Sequence, residues 1–463
     1  LKTKALRQIA FVCALLSGSI CVADTYQDRL GKASLHLGGL LGAYTGLYYI
    51  RLDLSEPDHE LNQSGQGEYS DWTDFSYDTN YRYFNWGHTY TGASYHQMAR
   101  INKLDFFHGL IFSHLGSIVW EYGIEYREVF SIGDQILTGF GGSSLGEAMF
   151  QIAPLLRRQK DWAWASYLFD PFAAIGSARD IRYQTPVYGN FDIQVGYSQR
   201  AYGNEIFQTL SLGFESVRDR IAQRETSNYV AYASLNARID NTSGSIDFAT
   251  VADIAFKGVV ERSTRTRRHQ LLVGLASGIE FETRLYNANQ DWFGAVNLLG
   301  VSSLVRNRFG IFDYRIQLGA YYDFAMIDAL ALEQLDNYID LFDIRVVTST
   351  LGYYYAFGWT ARADLILEVG DWSLSYRGSL HRYDSIDKYN RFEEIQLRYY
   401  NYNDDISRHE FKLQYQFSRL GIGLKNTIIK RYGYIDSYDD IYFYVEEEKT
   451  ERQFTLFLNY VIK

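Results

Sequence analysis

The sequence predicts a transmembrane antiparallel β-barrel of about 12 strands, with an N-terminal helical insert packed in or under the barrel. Three observations lead there. The chain opens on an export leader. Its composition is rich in Tyr (40), Phe (29) and Gly (38), with only 4 Pro in 463 residues. Its C-terminal part alternates apolar and polar residues over runs of about 10 residues or more, the length a tilted membrane-spanning strand needs.

The leader has a basic start (Lys2, Lys4, Arg7), a short apolar core from Ile9 to Ile20, and small residues at Cys21-Val22-Ala23. Cleavage is expected after Ala23. A membrane anchor needs roughly 20 apolar residues, and this run is shorter. Both cysteines, Cys13 and Cys21, lie in the leader. Residues 24–463 thus have neither disulfides nor thiolate metal sites. Losing the leader, with three basic residues and no acidic one, moves the formal charge from −10 to −13. Nucleic acid is not an expected partner of so acidic a chain.

The strands follow from period 2, which puts alternate side chains on opposite faces. In Phe312 to Phe324 one set is Phe312, Tyr314, Ile316, Leu318, Ala320, Tyr322 and Phe324; the other includes Asp313, Arg315, Gln317 and Asp323. Phe191-Ile193-Val195-Tyr197, Trp372-Leu374-Tyr376-Leu380 and Phe411 to Ser418 repeat the pattern. The last run, Phe454 to Lys463, is placed as the closing strand, the segment barrel-assembly machinery would engage. Tyr383 to Glu394 and Tyr432 to Lys449 read as long outer loops. Arg262 to His269 reads as a basic loop, either solvated or facing lipopolysaccharide phosphates.

Ahead of the barrel, residues 24–84 read as a strand and irregular connector, the strand falling within Leu35 to Arg51. Residues 85–160 read as helical and 161–463 as the barrel. Phe106 to Glu125 has helical periodicity. Ile111, Leu115, Ile118, Val119 and Tyr122 share one face; His114, Ser117, Glu121 and Glu125 form an adjacent stripe. Glu121 and Glu125 lie one turn apart, so burial would raise one pKa and suit it to acid–base work. With His114 the pair could also bind a metal. The bland alternative is a stripe that is solvated or hydrogen-bonded to lumen-facing strand residues. Ser131 and Asp134 fit a capping box opening a helix from Asp134 to Glu147. The glycines of that helix suit close packing rather than phosphate binding, because no Lys-Ser/Thr follows them.

The motif elements Asn85-Trp86-Gly87-His88, Gly92, Tyr95, Ala99-Arg100, Asn102, Gly116-Ser117, Trp120 to Glu125, Ser131 to Asp134, Thr138, Gly141-Gly142 and Gly146-Glu147 occur in order. In them the chain resembles the family called domain of unknown function 3943, found in exported proteins of Gram-negative bacteria. Asp170-Pro171 is a shorter echo of that pattern. The resemblance implies an outer-membrane setting and supplies no reaction.

Two functions are therefore open. In one, the helices plug or brace the barrel of a structural protein or gated conduit. In the other, a hydrolase acts on envelope lipids through His88, Glu121, Glu125, Asp134 and Glu147, with outer-membrane lipid and lipopolysaccharide as partners.

Overall fold

The structure, a computed structural model, describes residues 25–55, 75–76, 86–124 and 130–175. It also describes 188–462 apart from 201–205, 218–229, 243–244, 257–259, 265–268, 287–288, 329, 332–352, 387–399 and 438–443. Residues 1–24, where the leader is expected, and Glu125 lie outside the described residues. The chain forms two compact units, residues 1–79 with 85–185 and residues 80–84 with 186–463.

The second unit is a closed antiparallel barrel. Its strands are β1 (Tyr188–Arg200), β2 (Ile206–Val217), β3 (Val230–Thr242), β4 (Ser245–Phe256), β5 (His269–Tyr286) and β6 (Asn289–Phe309). They continue as β7 (Phe312–Asp328), β8 (Tyr353–Val369), β9 (Trp372–Ser385), β10 (Tyr400–Phe417), β11 (Leu420–Ser437) and β12 (Tyr444–Ile462). Each pairs with its sequence neighbours, and β12 closes on β1 in the register Gln453↔Arg200 to Ile462↔Phe191. Between β4 and β5, Ala249–Ala255 pairs with Glu282–Ala276, and the short segment Val260–Thr264 continues the same line against Val273–His269. Ser245–Phe256 and Val260–Thr264 are therefore two pieces of one interrupted strand, and the ring has twelve positions. Closure gives each of the twelve described strands a neighbour on both sides, which a barrel in lipid requires.

Side-chain polarity is inverted relative to a soluble sheet. On β7, Leu318 and Tyr322 face outward at 49% and 53% exposure, whereas Gln317 and Asp323 are buried. On β12, Phe454, Leu456 and Leu458 face outward and Gln453, Thr455 and Asn459 inward. An apolar outside and a polar inside is the pattern of an outer-membrane barrel. Two-residue turns follow β6, β8 and β10, with positive φ at Gly310 (61°), Gly370 (59°) and Ser418 (59°). Positive φ at the first turn residue matches the twist of the flanking strands. The opposite end carries the longer connections after β7, β9 and β11. The outer loop expected over Tyr432 to Lys449 is shorter than its composition suggested. β11 runs to Ser437 and β12 begins at Tyr444, and Tyr434 stacks on Tyr444 with ring centroids 5.7 Å apart.

The lumen is bridged by charge. Arg362 on β8 pairs with Asp253 on β4 and with Glu280 on β5, the latter at 2.6 Å. Glu282 on β5 takes Arg238 of β3 at 2.7 Å and Arg408 of β10 at 3.2 Å. Arg315 of β7 pairs with Glu215 of β2. The strands joined by Arg315 and by Arg408 are five positions apart in a ring of twelve, so these contacts cross the bore. A cavity of about 530 Å³ remains, lined by Arg238, Arg377, Lys425, Asp364 and Glu410 among others.

The first unit is helical: α1 (Tyr26–Ser55), α2 (Trp86–Arg100), α3 (Phe106–Val119), α4 (Ile132–Ile136), α5 (Gly142–Arg157) and α6 (Ser166–Phe169). The strand expected within Leu35 to Arg51 is part of α1 instead. Thr25 and Asp28 cap that helix reciprocally, each backbone N–H donating to the other side chain at 3.2 Å. Ala33, Leu37 and Leu40 then recur at helical spacing and pack on Tyr95, Met98 and Phe112. This tertiary contact outweighs the Gly and Tyr content that suggests a strand. The helical region also reaches Phe169 and β1 starts only at Tyr188, so the barrel begins later than residue 161. No helix among the described residues is long and apolar enough to cross a membrane.

Candidate functional site

The helical unit is built by backbone-to-backbone approach. A Cβ on Gly92 of α2 would lie 2.0 Å from the carbonyl oxygen of Thr138, and one on Gly142 would lie 2.6 Å from Cα of Gly92. Only glycine permits this approach. It draws α2 against the start of α5, and His88 sits one turn before Gly92 on the same helix.

Two π-helical turns complete the arrangement. α3 runs into one over Trp120–Ile124, which carries Glu121; α4 runs into the other over Leu137–Gly141, which carries Thr138. Such bulges often mark functional positions, because the extra residue re-aims the side chains around it. Between them Ser131 caps α4 as its sequence predicts: its hydroxyl accepts from the Asp134 N–H at 3.1 Å. The Ser131 N–H donates to Oε2 of Glu121 at 3.3 Å.

These elements converge on His88, Glu121 and Asp134. One ligand-capable atom from each lies within 4.8 Å of the others. His88 Nε2 is 3.6 Å from Asp134 Oδ1, and His88 Nδ1 is 3.3 Å from Thr138 Oγ1. Glu121 and Asp134 are buried, at 6% and 5% exposure, while the His88 side chain keeps 23%. The group therefore has carboxylates inside and an imidazole at the opening, a set able to move protons or to hold a cation.

Of the five residues singled out from sequence, three come together here. Glu125 lies outside the described residues. Glu147 sits in a different network, fully buried. Arg100 grips it through Nε at 2.8 Å and Nη2 at 3.2 Å, His96 Nε2 lies at 3.2 Å, and Gln151 donates at 2.8 Å. Arg100 also donates to the Leu104 carbonyl at 2.6 Å. A carboxylate held by so many donors is structural. His114, the expected metal partner of the glutamates, instead packs edge-on against Phe140 at 5.0 Å.

Of the stripe's described residues, His114 is half-buried and the other two face inward. Ser117 is buried and accepts from Gln135 at 2.7 Å, and Glu121 is inside. The apolar residues Ile111, Leu115, Ile118 and Val119 do share a face, but it is the outward one, 41–52% exposed. The packed face is Gly109, Ser113, Gly116 and Ser117 with Phe106 and Phe112. Small and polar residues with two Phe thus face inward, and four aliphatic side chains face outward. Sequence reasoning overlooked Thr138 as the partner of His88 and Arg100 as the partner of Glu147. Both stand in the ordered motif elements, which was the available signal.

Burial pushes the His96 imidazole below its ordinary value of 6.5, although Glu147 beside it pulls the other way; burial lowers His114 likewise. In the unfolded chain both gain protons near 6.5, and the folded unit resists them. Stability is thus intact above 6.5 and declines as pH falls through it. Melting of the helical signal at pH 7.5 and 5.5 checks this; an equal or higher midpoint at 5.5 would contradict it.

The ordered motif, the buried cluster and the close-packed glycines all fall within one segment. Residues 74–176 match the family described as Domain of unknown function (DUF3943). The cluster, Thr138, Arg100 and Glu147 all lie within the matched residues. No curated protein matches the chain. Among solved structures the chain is similar to the outer membrane phospholipase A from Escherichia coli, at 11% identity over 59% of this chain and 90% of that one, with a TM-score of 0.27. It is similar to an outer membrane channel from Pseudomonas putida F1, at 10% identity over 59% and 94%, with a TM-score of 0.26. It is also similar to OmpF of Salmonella typhi in complex with daunomycin, at 11% identity over 60% and 100%, with a TM-score of 0.20.

Proposed function

We propose that this outer-membrane-type barrel protein is a hydrolase of envelope lipids, cleaving an ester or phosphoester bond at the His88–Glu121–Asp134 cluster. The observation that carries the reading is the convergence of those three side chains within 4.8 Å from three separate elements. Several titratable groups within reach of one another, partly shielded from water, are the minimum for such chemistry. The bridged lumen supports the same reading over an open conduit, since Arg362 and Arg408 hold carboxylates across the bore.

In the proposed step Glu121 takes a proton from water, and the water oxygen adds to the acyl carbon or phosphorus. The bond to the alcohol oxygen breaks, and protonated His88, held beside Asp134, gives its proton to that oxygen. Proton transfer from Glu121 to His88 resets the site. General acid–base groups of this kind contribute about 10²–10⁴-fold.

The test is mass spectrometry of envelope lipids from a deletion strain and from the same strain carrying wild type or Glu121→Gln at equal level. A species that changes on deletion, returns with wild type and does not return with a folded Glu121→Gln barrel is the expected result. Identical profiles in all strains would overturn the hydrolase and leave the helices as a plug or brace.

A further inference from the structure

We infer that His88, Glu121 and Asp134 form the binding site of a single divalent cation of the zinc–manganese class. The inference rests on reading the same cluster as the reactive centre, and adds what occupies it.

The donor set is the first argument. It supplies one imidazole nitrogen and two carboxylates, a combination that suits zinc or manganese. Calcium and magnesium prefer oxygen-only shells, and the imidazole speaks against them. The donor set holds no sulfur, and the only cysteines of the sequence are Cys13 and Cys21, which speaks against soft thiophilic metals.

Spacing is the second. Bonds of about 2.1 Å in tetrahedral geometry put neighbouring ligand atoms about 3.4 Å apart. His88 Nε2 and Asp134 Oδ1 stand 3.6 Å apart, and the whole set lies within 4.8 Å, so small side-chain rotations bring all three onto one ion. Three protein ligands leave a fourth position for water or substrate, the hallmark of a reactive rather than a structural site.

Orientation is the third. Thr138 Oγ1 lies 3.3 Å from His88 Nδ1. With the Nδ1 proton donated there, the Nε2 lone pair points at the carboxylates, as a metal-bound histidine requires. The Ser131 N–H on Glu121 Oε2 fixes the second ligand, and the Ser131 cap fixes the backbone of the third. Two buried carboxylates beside each other repel, and a divalent charge between them removes that cost. With a cation bound, His88 and Glu121 would hold the ion and would not serve as the acid and base of the metal-free step above; a bound water, its pKa lowered towards neutrality, would supply the nucleophile instead.

The experiment uses the full chain in detergent, stripped with chelator and titrated calorimetrically with Zn²⁺ and separately with Mn²⁺. One equivalent should bind per chain. His88→Gln and Asp134→Asn should weaken binding at least tenfold, and Thr138→Val about tenfold, as loss of an outer partner does. His269→Gln on the barrel should leave it unchanged. Circular dichroism shows whether each variant is folded, and spin-echo spectroscopy of the Mn²⁺ form should detect a coupled imidazole nitrogen that vanishes in His88→Gln. No binding at millimolar ion, binding indifferent to His88→Gln, or no coupled nitrogen would each overturn the cation site. If Glu121→Gln still abolishes the lipid change in that case, the acid–base centre stands without a metal; if both fail, the cluster is structural.

Discussion

Glu147→Ala is expected to cost the helical unit about 3–5 kcal/mol, the range for breaking a buried ion pair from one side. Surface pairs contribute little because water screens them. This pair is not at the surface: Arg100 is 4% exposed and Glu147 0%. Removing the carboxylate takes two charge-assisted bonds from the guanidinium, which also donates to the Leu104 carbonyl at 2.6 Å and lies 4.7 Å from the Phe150 ring. Gln151 and His96 lose their partner in the same step. Glu147→Gln should cost less, because an amide oxygen still accepts from Arg100. Urea unfolding followed by the helical circular dichroism signal measures both, while the barrel signal serves as an internal reference. A loss under about 1 kcal/mol for Glu147→Ala would mean the network is dispensable and that Glu147 owes its place to something other than stability.

The second large effect concerns the bore. Wild-type protein in planar bilayers should show little or no steady conductance, and Arg362→Ala with Arg408→Ala should raise it at least several-fold. The two arginines tie β8 and β10 to carboxylates on β4 and β5. Cutting one side takes Arg362 from Asp253 and Glu280 and leaves Glu282 one arginine fewer, an excess of negative charge in the bore that draws in water and cations. Because this could also loosen the barrel, a neutral version removes both sides: Arg362→Ala with Asp253→Asn and Glu280→Gln. It should widen the path without the charge imbalance, and heat-modifiable migration on gels verifies folding. Large ohmic conductance from the wild type would sink the idea of an occluded lumen and return the conduit to first place.

Period-2 alternation made the barrel legible before any coordinates. Each strand announces its two faces locally, as Phe312 to Phe324 does, and a polar average with so many Tyr and so few Pro leaves few alternatives. The number of strands followed from counting such runs. The Ser131 cap was equally local: a hydroxyl three residues before Asp134 meets its N–H whatever surrounds it.

Periodicity by itself determined which residues of α3 share a face; only tertiary structure decided which face meets the rest of the protein. Ile111 and Leu115 point outward because the inner face is shaped for contact by Gly109 and Gly116, where a Cβ would lie 2.3 Å from His96 and 2.4 Å from Tyr95. The site was also beyond the sequence alone. Glu121 and Glu125 are neighbours by spacing, yet the groups that gather within 4.8 Å of Glu121 are His88 and Asp134, brought there by the contact of Gly92 with Thr138 and by two π-turns. Glu147 is a candidate acid by sequence, and nothing along the chain reveals that Arg100 will face it. Local spacing fixes what lies one turn or one pleat away. Which distant side chains meet depends on how closely backbones approach, and that is settled when the helices pack.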